Sequence, residues 1–408
     1  MTRILAPYAS APHGKCLVAR EPLVFHCNFY NYFLQKTLLL DESLHMEAVI
    51  TDAACSSAHA LLVEAARELD LAPAARITLA QDTFAQLGFG TIDLGAVTES
   101  GGLVRLPVSH YGQCLRVASG AEFARPQTYF DAGFAAAAAA MIHDLPAHSF
   151  SARIEACQAM GAPEGRIVLA PHSREPLFPS CGQGAHTPDP PPPPWSESNI
   201  DEPQILAALA TLDFAGNEEG LIPRFGVMLT HHFANFYNRI SFEFIRRMEA
   251  TGLLDPAEEL LVEGGLRCGF HTFGGIMTSG EWDAVVRPQC KTREDWVHGM
   301  VACVNALGWG LWRVHELTDN RLVMRIYDDY ESSGWVGMYG KAARPVSYLA
   351  AGGVAGIMNL IHSGDIASKP LLDFDAYVRM FESERRFLPR HVASMAMGHP
   401  YTEIVAEL

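Results

Sequence analysis

Apolar positions fall at helical spacing over residues 56–69, where Ala58, Leu61, Leu62, Ala65 and Ala66 share one face. The helical style continues over 83–87. From Gly90 onward the pattern changes to alternation, as in Leu103-Val104-Arg105-Leu106, which predicts an antiparallel strand with one face buried. Residues 311–317 and 321–327 alternate in the same way. Two runs rich in small residues, 129–143 and 348–362, predict helices whose alanines and glycines permit close approach to a neighbour. Each run is followed by a further strand, at 165–169 and at 401–406. The order helix, strand, small-residue helix, strand therefore occurs twice. It predicts an α+β fold with helices packed on one side of an antiparallel sheet.

Individual residues repeat along with the pattern. Asn28-Phe29-Tyr30-Asn31 returns as Asn235-Phe236-Tyr237-Asn238, and Leu87-Gly88-Phe89-Gly90 as Leu307-Gly308-Trp309-Gly310. Arg125-Pro126 returns as Arg344-Pro345, and Ile142-His143 as Ile361-His362. Ala156-Cys157-Gln158-Ala159-Met160-Gly161-Ala162-Pro163 is echoed by Ala393-Ser394-Met395-Ala396-Met397-Gly398-His399-Pro400. The blocks keep their order, and their spacing jumps once, where the second half gains a stretch around 371–382. Chance supplies one tetrapeptide match; an ordered series implies internal duplication. On this reading 20–172 is a first domain and 223–408 a second. Residues 173–222 are a linker. Its Gly182-Gln183-Gly184, Pro188 and the proline run 190–194 cannot enter a helix or central strand, so they form a stiff spacer anchored by Trp195. Such a run is also a ligand type for aromatic grooves. Residues 201–212 add a short helix with Ile205, Leu206, Leu209 and Leu212 apolar.

The length of 408 residues exceeds what one core supports, and 49% hydrophobic content suits two. A net charge of -16 argues against nucleic acid and against an anionic membrane surface. The longest apolar run, 134–142, is too short to span a bilayer. No secretory signal is visible. The nine cysteines are odd in number and scattered without a CxxC, as expected of reduced thiols in a cytoplasmic protein.

Arg-Pro-Val, then an aromatic residue and a Gly-containing helix (344–358), then the Met-Gly-x-Pro block and a closing strand (391–404), resembles the 4-vinyl-reductase domain. The first half matches over 125–143 and 156–168, where the block keeps its Cys-x-Ala-Met-Gly-x-Pro form. That domain occurs in the ligand sensors of phenol-responsive transcription activators, in archaeal hydrocarbon-binding proteins and in a bacteriochlorophyll biosynthesis protein. The resemblance implies two tandem TRAPP-like α+β domains forming an intramolecular pseudo-dimer, with an apolar pocket for small aromatic or lipid-like molecules. Many members of the family hold a structural zinc. The ligand positions correspond to Ser347, His391, Ser394 and Thr402 in the second half, and to Thr128, Ile154, Cys157 and Gly165 in the first. A tetrahedral zinc site needs more than one surviving thiolate. No metal and no cofactor is therefore expected, and Cys157 is read as a buried small hydrophobe.

The Asn-x-Tyr-Asn segments are the leading candidates for a ligand surface. Asn28, Tyr30, Asn31, Asn235, Tyr237 and Asn238 offer amide and phenol hydrogen bonds among apolar residues, which suits a small polar-aromatic or carboxylic ligand. The same residues also serve as helix cross-links and core rings. His231 and His232 precede the second segment; adjacent histidines point to different sides and rarely share a metal. His271 follows Cys268 as His59 follows Cys55, a spacing that can place a thiol beside an imidazole. The glycines around Phe270-His271-Thr272-Phe273 match neither phosphate-binding fingerprint and predict turns. Trp309 and Tyr330 make the second half richer in aromatics, and its pocket the better candidate.

Three functions fit. The first is binding or sensing of an aromatic or apolar small molecule, with no output motif of its own. The second is an accessory subunit docked to redox enzyme subunits, such as a flavin or iron–sulfur demethylase or reductase. The third is a stand-alone enzyme using His231, His232 or His271 as acid and base. No dinucleotide or cluster motif accompanies the third, so catalysis by the chain alone ranks last. Protein partners and self-association stay open.

Overall fold

The computed structural model describes residues 15–179 and 198–408. The predicted proline spacer and Trp195 lie outside the described residues. The first half runs β1 (Cys16–Val18), β2 (Glu21–Cys27), α1 (Asn28–Leu38), α2 (Met46–Glu68), α3 (Arg76–Gln86), β3 (Gly90–Asp93) and β4 (Gly102–Ser109). A π-helical turn (His110–Cys114) leads into α4 (Leu115–Ser119), followed by α5 (Tyr129–Ile142), β5 (Phe150–Ala156) and β6 (Gly165–Pro171). After α6 (Glu202–Leu209) come β7 (Ile222–Arg224), β8 (Val227–Phe233), α7 (Ala234–Ala250) and α8 (Leu254–Cys268), with a second π-helical turn at Gly269–Phe273. The chain continues through α9 (Gly274–Thr278), α10 (Gly280–Val285), α11 (Arg293–Asn305), β9 (Leu311–Thr318), β10 (Arg321–Tyr327), α12 (Tyr330–Tyr339) and α13 (Tyr348–Met358). It ends with α14 (Phe374–Phe381), β11 (Leu388–Ala393) and β12 (Thr402–Glu407).

The small-residue helices and the alternating strands lie close to their predicted bounds. Helix α2 begins well before residue 56, because Met46, Val49, Ile50 and Ala53 extend its buried face. The stretch around 371–382 gained by the second half contains α14.

Among the described residues the strands form three antiparallel four-stranded sheets, none closed into a barrel. Two have the same order, β3-β4-β6-β5 and β9-β10-β12-β11. The third, β1-β2-β8-β7, takes strands from both halves. Its central pair sets Phe25 opposite His231, with Val24 facing His232 on one side and His26 facing Thr230 on the other. The Leu-Gly-aromatic-Gly blocks complete this seam reciprocally. The Phe25 amide donates to the Leu307 carbonyl, and the His231 amide to the Leu87 carbonyl, both at 2.9 Å. Buried Lys15 also bridges to buried Asp328 at 2.5 Å.

The small residues act as predicted. A Cβ on Gly133 of α5 would lie 2.2 Å from the Thr51 carbonyl oxygen of α2. One on Gly352 of α13 would lie 2.3 Å from the Val262 oxygen of α8. The helices therefore cross backbone to backbone, and a single apolar core runs through both halves.

Candidate functional site

The shared sheet and the two helices leaving it gather a polar, aromatic cluster at the seam. Strands β2 and β8 carry His26, Thr230 and His232. Helices α1 and α7 start immediately afterwards and bring Tyr30, Asn31 and Tyr237 one turn later. Asn31 is the hub. Its Nδ2 lies 3.0 Å from His110 Nε2 and 3.3 Å from Thr230 Oγ1, and its Oδ1 accepts from the Tyr237 hydroxyl at 2.6 Å. The Tyr111 hydroxyl lies 3.0 Å from His232 Nε2. His110 and Tyr111 come from the first π-helical turn, a backbone irregularity frequent at functional sites.

Rings enclose the polar groups. The His26 ring centroid lies 4.4 Å from that of Tyr30, 4.6 Å from Tyr237, 5.1 Å from Trp309 and 6.3 Å from Tyr330. His232 lies 4.6 Å from Phe236 and Tyr237 and 4.9 Å from Phe89. Burial pulls His26 and His232 well below the usual imidazole range and brings His110 down to about 3. It also pushes the Tyr30, Tyr111, Tyr237 and Tyr330 phenols well up. The cluster is therefore uncharged at neutral pH. His26 Nε2, His110 Nδ1 and His232 Nδ1 have no hydrogen-bond partner among the described residues. A neutral imidazole carries one donor and one acceptor, and leaving one unpaired in a buried site costs about 1–3 kcal/mol. Beside the cluster lies a cavity of about 10 Å³ lined by Asn31, Tyr111, Phe236 and Tyr237 among others.

The predicted site residues divide into two sets. Tyr30, Asn31, His232, Tyr237, Trp309 and Tyr330 meet in or around the cluster. The remaining asparagines cross-link elements. Asn28 donates to the Cys114 carbonyl at 3.2 Å and accepts from the Met228 amide at 3.1 Å. Asn238 donates to the Tyr330 carbonyl at 2.9 Å, and Asn235 to Glu21 at 3.1 Å. His231 stacks on Phe25 at 4.1 Å and His271 on Phe29 at 3.9 Å. The thiol–imidazole pairing suggested by Cys268 and His271 takes another form, since Cys268 Sγ lies 3.6 Å from His26 Nδ1. His59 Nε2 lies 3.1 Å from the Leu145 carbonyl oxygen.

His110, Tyr111 and Thr230 were not among the predicted residues. His26 and His232 correspond between the halves, but Ala234 is inserted before the second Asn-Phe-Tyr-Asn and shifts the register by one. Counting back from that block therefore conceals the match. No spacing signal marks His110 or Tyr111.

The positions aligned with the family's zinc ligands do converge in the second half. Ser332 Oγ lies 3.0 Å from Ser347 Oγ, 3.3 Å from Thr402 Oγ1 and 3.5 Å from Ser394 Oγ. Asp329 accepts from Ser347 at 3.1 Å and from Thr402 at 2.5 Å, and His391 Nε2 lies 3.1 Å from the Ser347 carbonyl oxygen. These are neutral hydroxyls already hydrogen-bonded to one another and to a single carboxylate. They do not fit a soft tetrahedral zinc. In the first half Cys157 is buried and its Sγ accepts from the Gln127 amide at 3.5 Å. No group of three His, Cys, Asp or Glu that could hold a metal occurs among the described residues.

A relay of another kind lies on α2. Ser56 Oγ is 3.1 Å from His148 Nε2, and His148 Nδ1 is 3.4 Å from Asp52 Oδ2. Arg174 already holds that same carboxylate oxygen at 2.7 Å. Burial, with Arg174, His59 and Arg239 nearby, brings His148 down to about 4, which leaves it a weak general base.

Buried Asp131 yields a pH prediction. Burial pushes its carboxyl up to about 7, against a hydrogen bond from Ser109 at 2.5 Å, and its Oδ1 has no partner. The folded state thus holds a proton that the unfolded chain releases near pH 4. The stability Asp131 contributes is present in full below pH 4 and is lost as pH rises through 7, by up to about 4 kcal/mol. Urea midpoints measured from pH 4 to 9 should therefore fall less steeply in Asp131→Asn than in the wild type. Parallel profiles would refute the assignment.

No protein-family model matches the sequence, and no curated protein sequence matches it. Among solved structures, the chain is similar to the phenol-responsive sensory domain of the transcription activator PoxR, determined with phenol. The likeness covers 42% of this chain and 73% of that one, at 16% identity and a TM-score of 0.28. At that level it is too slight to carry an argument. No helix among the described residues is long and apolar enough to cross a membrane.

Proposed function

We propose that this chain binds a small hydroxylated aromatic molecule at the seam cluster around His26, Asn31, His110, His232 and Tyr237. In this reading, residues 20–172 and 223–408 are duplicated domains of the 4-vinyl-reductase type, joined as an intramolecular pseudo-dimer. The matching sheet orders, the reciprocal β2–β8 seam and the convergence of Ser347, Ser394 and Thr402 support that relation. The observation that carries the binding reading is the set of three neutral, buried imidazoles with unpaired ring nitrogens facing phenols and indole. A phenol offers what they lack, one O–H donor and one acceptor on a flat apolar body. Binding requires Tyr237 or Phe236 to yield, because the existing cavity is smaller than any ring.

Calorimetry with phenol, and with cyclohexanol as the non-aromatic control, tests this. Phenol is expected to bind and to raise the melting temperature, and Tyr237→Phe or His232→Phe is expected to weaken it about tenfold, the worth of one buried hydrogen bond. Absence of heat and of any thermal shift with millimolar phenol and catechol would overturn the reading.

A further inference from the structure

The two sheets of like order end on corresponding outermost strands, β5 and β11. Their registers against β6 and β12 match as far as a shared irregularity, so Ser151, Ala152, Arg153 and Ile154 correspond to Leu388, Pro389, Arg390 and His391. Along such a strand, successive residues bond inward and outward in turn. The His172 amide donates to the Ser149 carbonyl at 2.9 Å, and Pro171, which has no N–H, stands opposite Phe150. Ser151 and Arg153 therefore bond to β6, while Phe150, Ala152 and Ile154 turn their amides and carbonyls to the open edge. In β11 the place of Ala152 is taken by Pro389, which removes the central outward donor. Proline there is a common device against edge pairing. Strand β5 lacks it.

Beside the open edge lies a groove of about 430 Å³, lined by the consecutive residues 150–154. Successive side chains of a strand point to opposite faces, so a groove that touches every residue of the run lies along the strand's edge and not under one face. Helix α5 contributes Ala132 and Ala136, and α2 contributes Ala48 and Thr51. These small residues leave room for apolar side chains of an added strand. Arg153 and Arg174 supply positive charge against Glu47, which is itself 3.6 Å from Arg125. Arg153 also meets Glu155 at 2.7 Å, on the exposed face where an ion pair is worth little. Arg174 holds Asp52 through one nitrogen and has other N–H groups to offer.

We propose that β5 is a docking edge for an extended peptide segment of a partner protein, in which apolar residues alternate with acidic ones. The segment adds to the sheet as a fifth strand beyond β5. The outward amides and carbonyls of Phe150, Ala152 and Ile154 hold its backbone. Its apolar side chains face Ala132 and Ala136, and its carboxylates face Arg153 and Arg174. Main-chain bonds supply the affinity in this mode and the alternating side chains the specificity. The surface belongs to the first half alone, and docking there needs no ligand at the seam cluster.

Fluorescence anisotropy tests this with the full-length protein and labelled hexapeptides that alternate aspartate with alanine, valine or leucine. At least one of the peptides is expected to bind. Two twins of that peptide, N-methylated at one or the other set of alternate amides, should then differ. The twin methylated on the edge facing β5 should bind about tenfold more weakly, and the other should be little changed. Hydrogen exchange should slow at Ala152 and Ile154 on binding and stay as it was at Ser151 and Arg153, whose amides β6 already holds. Arg153→Glu is expected to weaken the aspartate peptide about tenfold and to favour its lysine analogue. Ala152→Pro copies β11 and should abolish binding; the methylated twins make the same test without touching the fold. Three results would overturn the proposal. They are no binding of any of the peptides at millimolar concentration, equal binding of the two twins, and a chain that dimerises through β5 and becomes monomeric in Ala152→Pro.

Discussion

Gly352→Ala is expected to destabilise the protein by about 2–3 kcal/mol, the usual cost of overpacking, although alanine is the better helix former by about 1 kcal/mol. The sign rests on what the new methyl group would meet. Its nearest neighbours would be the Val262 oxygen at 2.3 Å, the Leu266 nitrogen at 2.5 Å and the Gly265 carbonyl carbon at 2.6 Å, all of them backbone. A side chain can swing aside, but the middle of α8 cannot without breaking its own ladder. Gly265 reinforces the crossing, since its own added Cβ would lie 2.4 Å from the Leu349 oxygen. Relief must come from separating α8 and α13, which opens a gap in the core around them. Gly280→Ala is the control. That residue opens α10 with nothing within 4 Å of an added Cβ, so it should be neutral or mildly stabilising. Urea unfolding at constant slope distinguishes the two. A stabilised Gly352→Ala would mean that the helices do not cross at backbone contact.

The same crossing marks how far the sequence could be read. Small residues at 129–143 and 348–362 announced helices with close neighbours, and alternation at 321–327 announced a half-buried strand. Both signals are local, because one-sided burial writes its period directly into the chain. The shared sheet was not legible. Strands β2 and β8 are buried on both faces, so Glu21–Cys27 and Val227–Phe233 show no alternation. Strands β5 and β11 were missed for a different reason. Both are edge strands; Phe150–Ala156 does alternate apolar and polar residues, a strand signal left unread, whereas Leu388–Ala393 hides its alternation because Leu388 and Val392 lie on the exposed face beside Arg390. At the site, Asn31 and Tyr237 were found because they recur as a block. His110 and Tyr111 were not, since only the pairing of β2 with β8 and the fold of the first half bring them to Asn31. From sequence alone, Ser347, Ser394 and Thr402 group together only through the resemblance, because no sequence period links residues so far apart.

Asn31→Leu should cost about 3–5 kcal/mol, more than any single hydrogen bond, because one change takes a bond from three buried groups, of which only Thr230 keeps another, to the His26 carbonyl at 3.4 Å. His110 Nε2, Thr230 Oγ1 and the Tyr237 hydroxyl all face the Asn31 amide. Leucine matches its volume closely but offers none of them a bond, so the loss comes from desolvated polar atoms and not from a cavity. This separates Asn31→Leu from Tyr237→Phe, which removes one hydroxyl together with its own need for a partner and should cost about 1–2 kcal/mol. The double variant is the decisive measurement. With the Tyr237 hydroxyl already gone, leucine at 31 strands one group fewer, so the two losses should sum to more than the double variant shows, by about 1 kcal/mol or more. Strict additivity would mean that Asn31 and Tyr237 do not share a bond in the folded protein, and the hub at the seam would have to be redrawn.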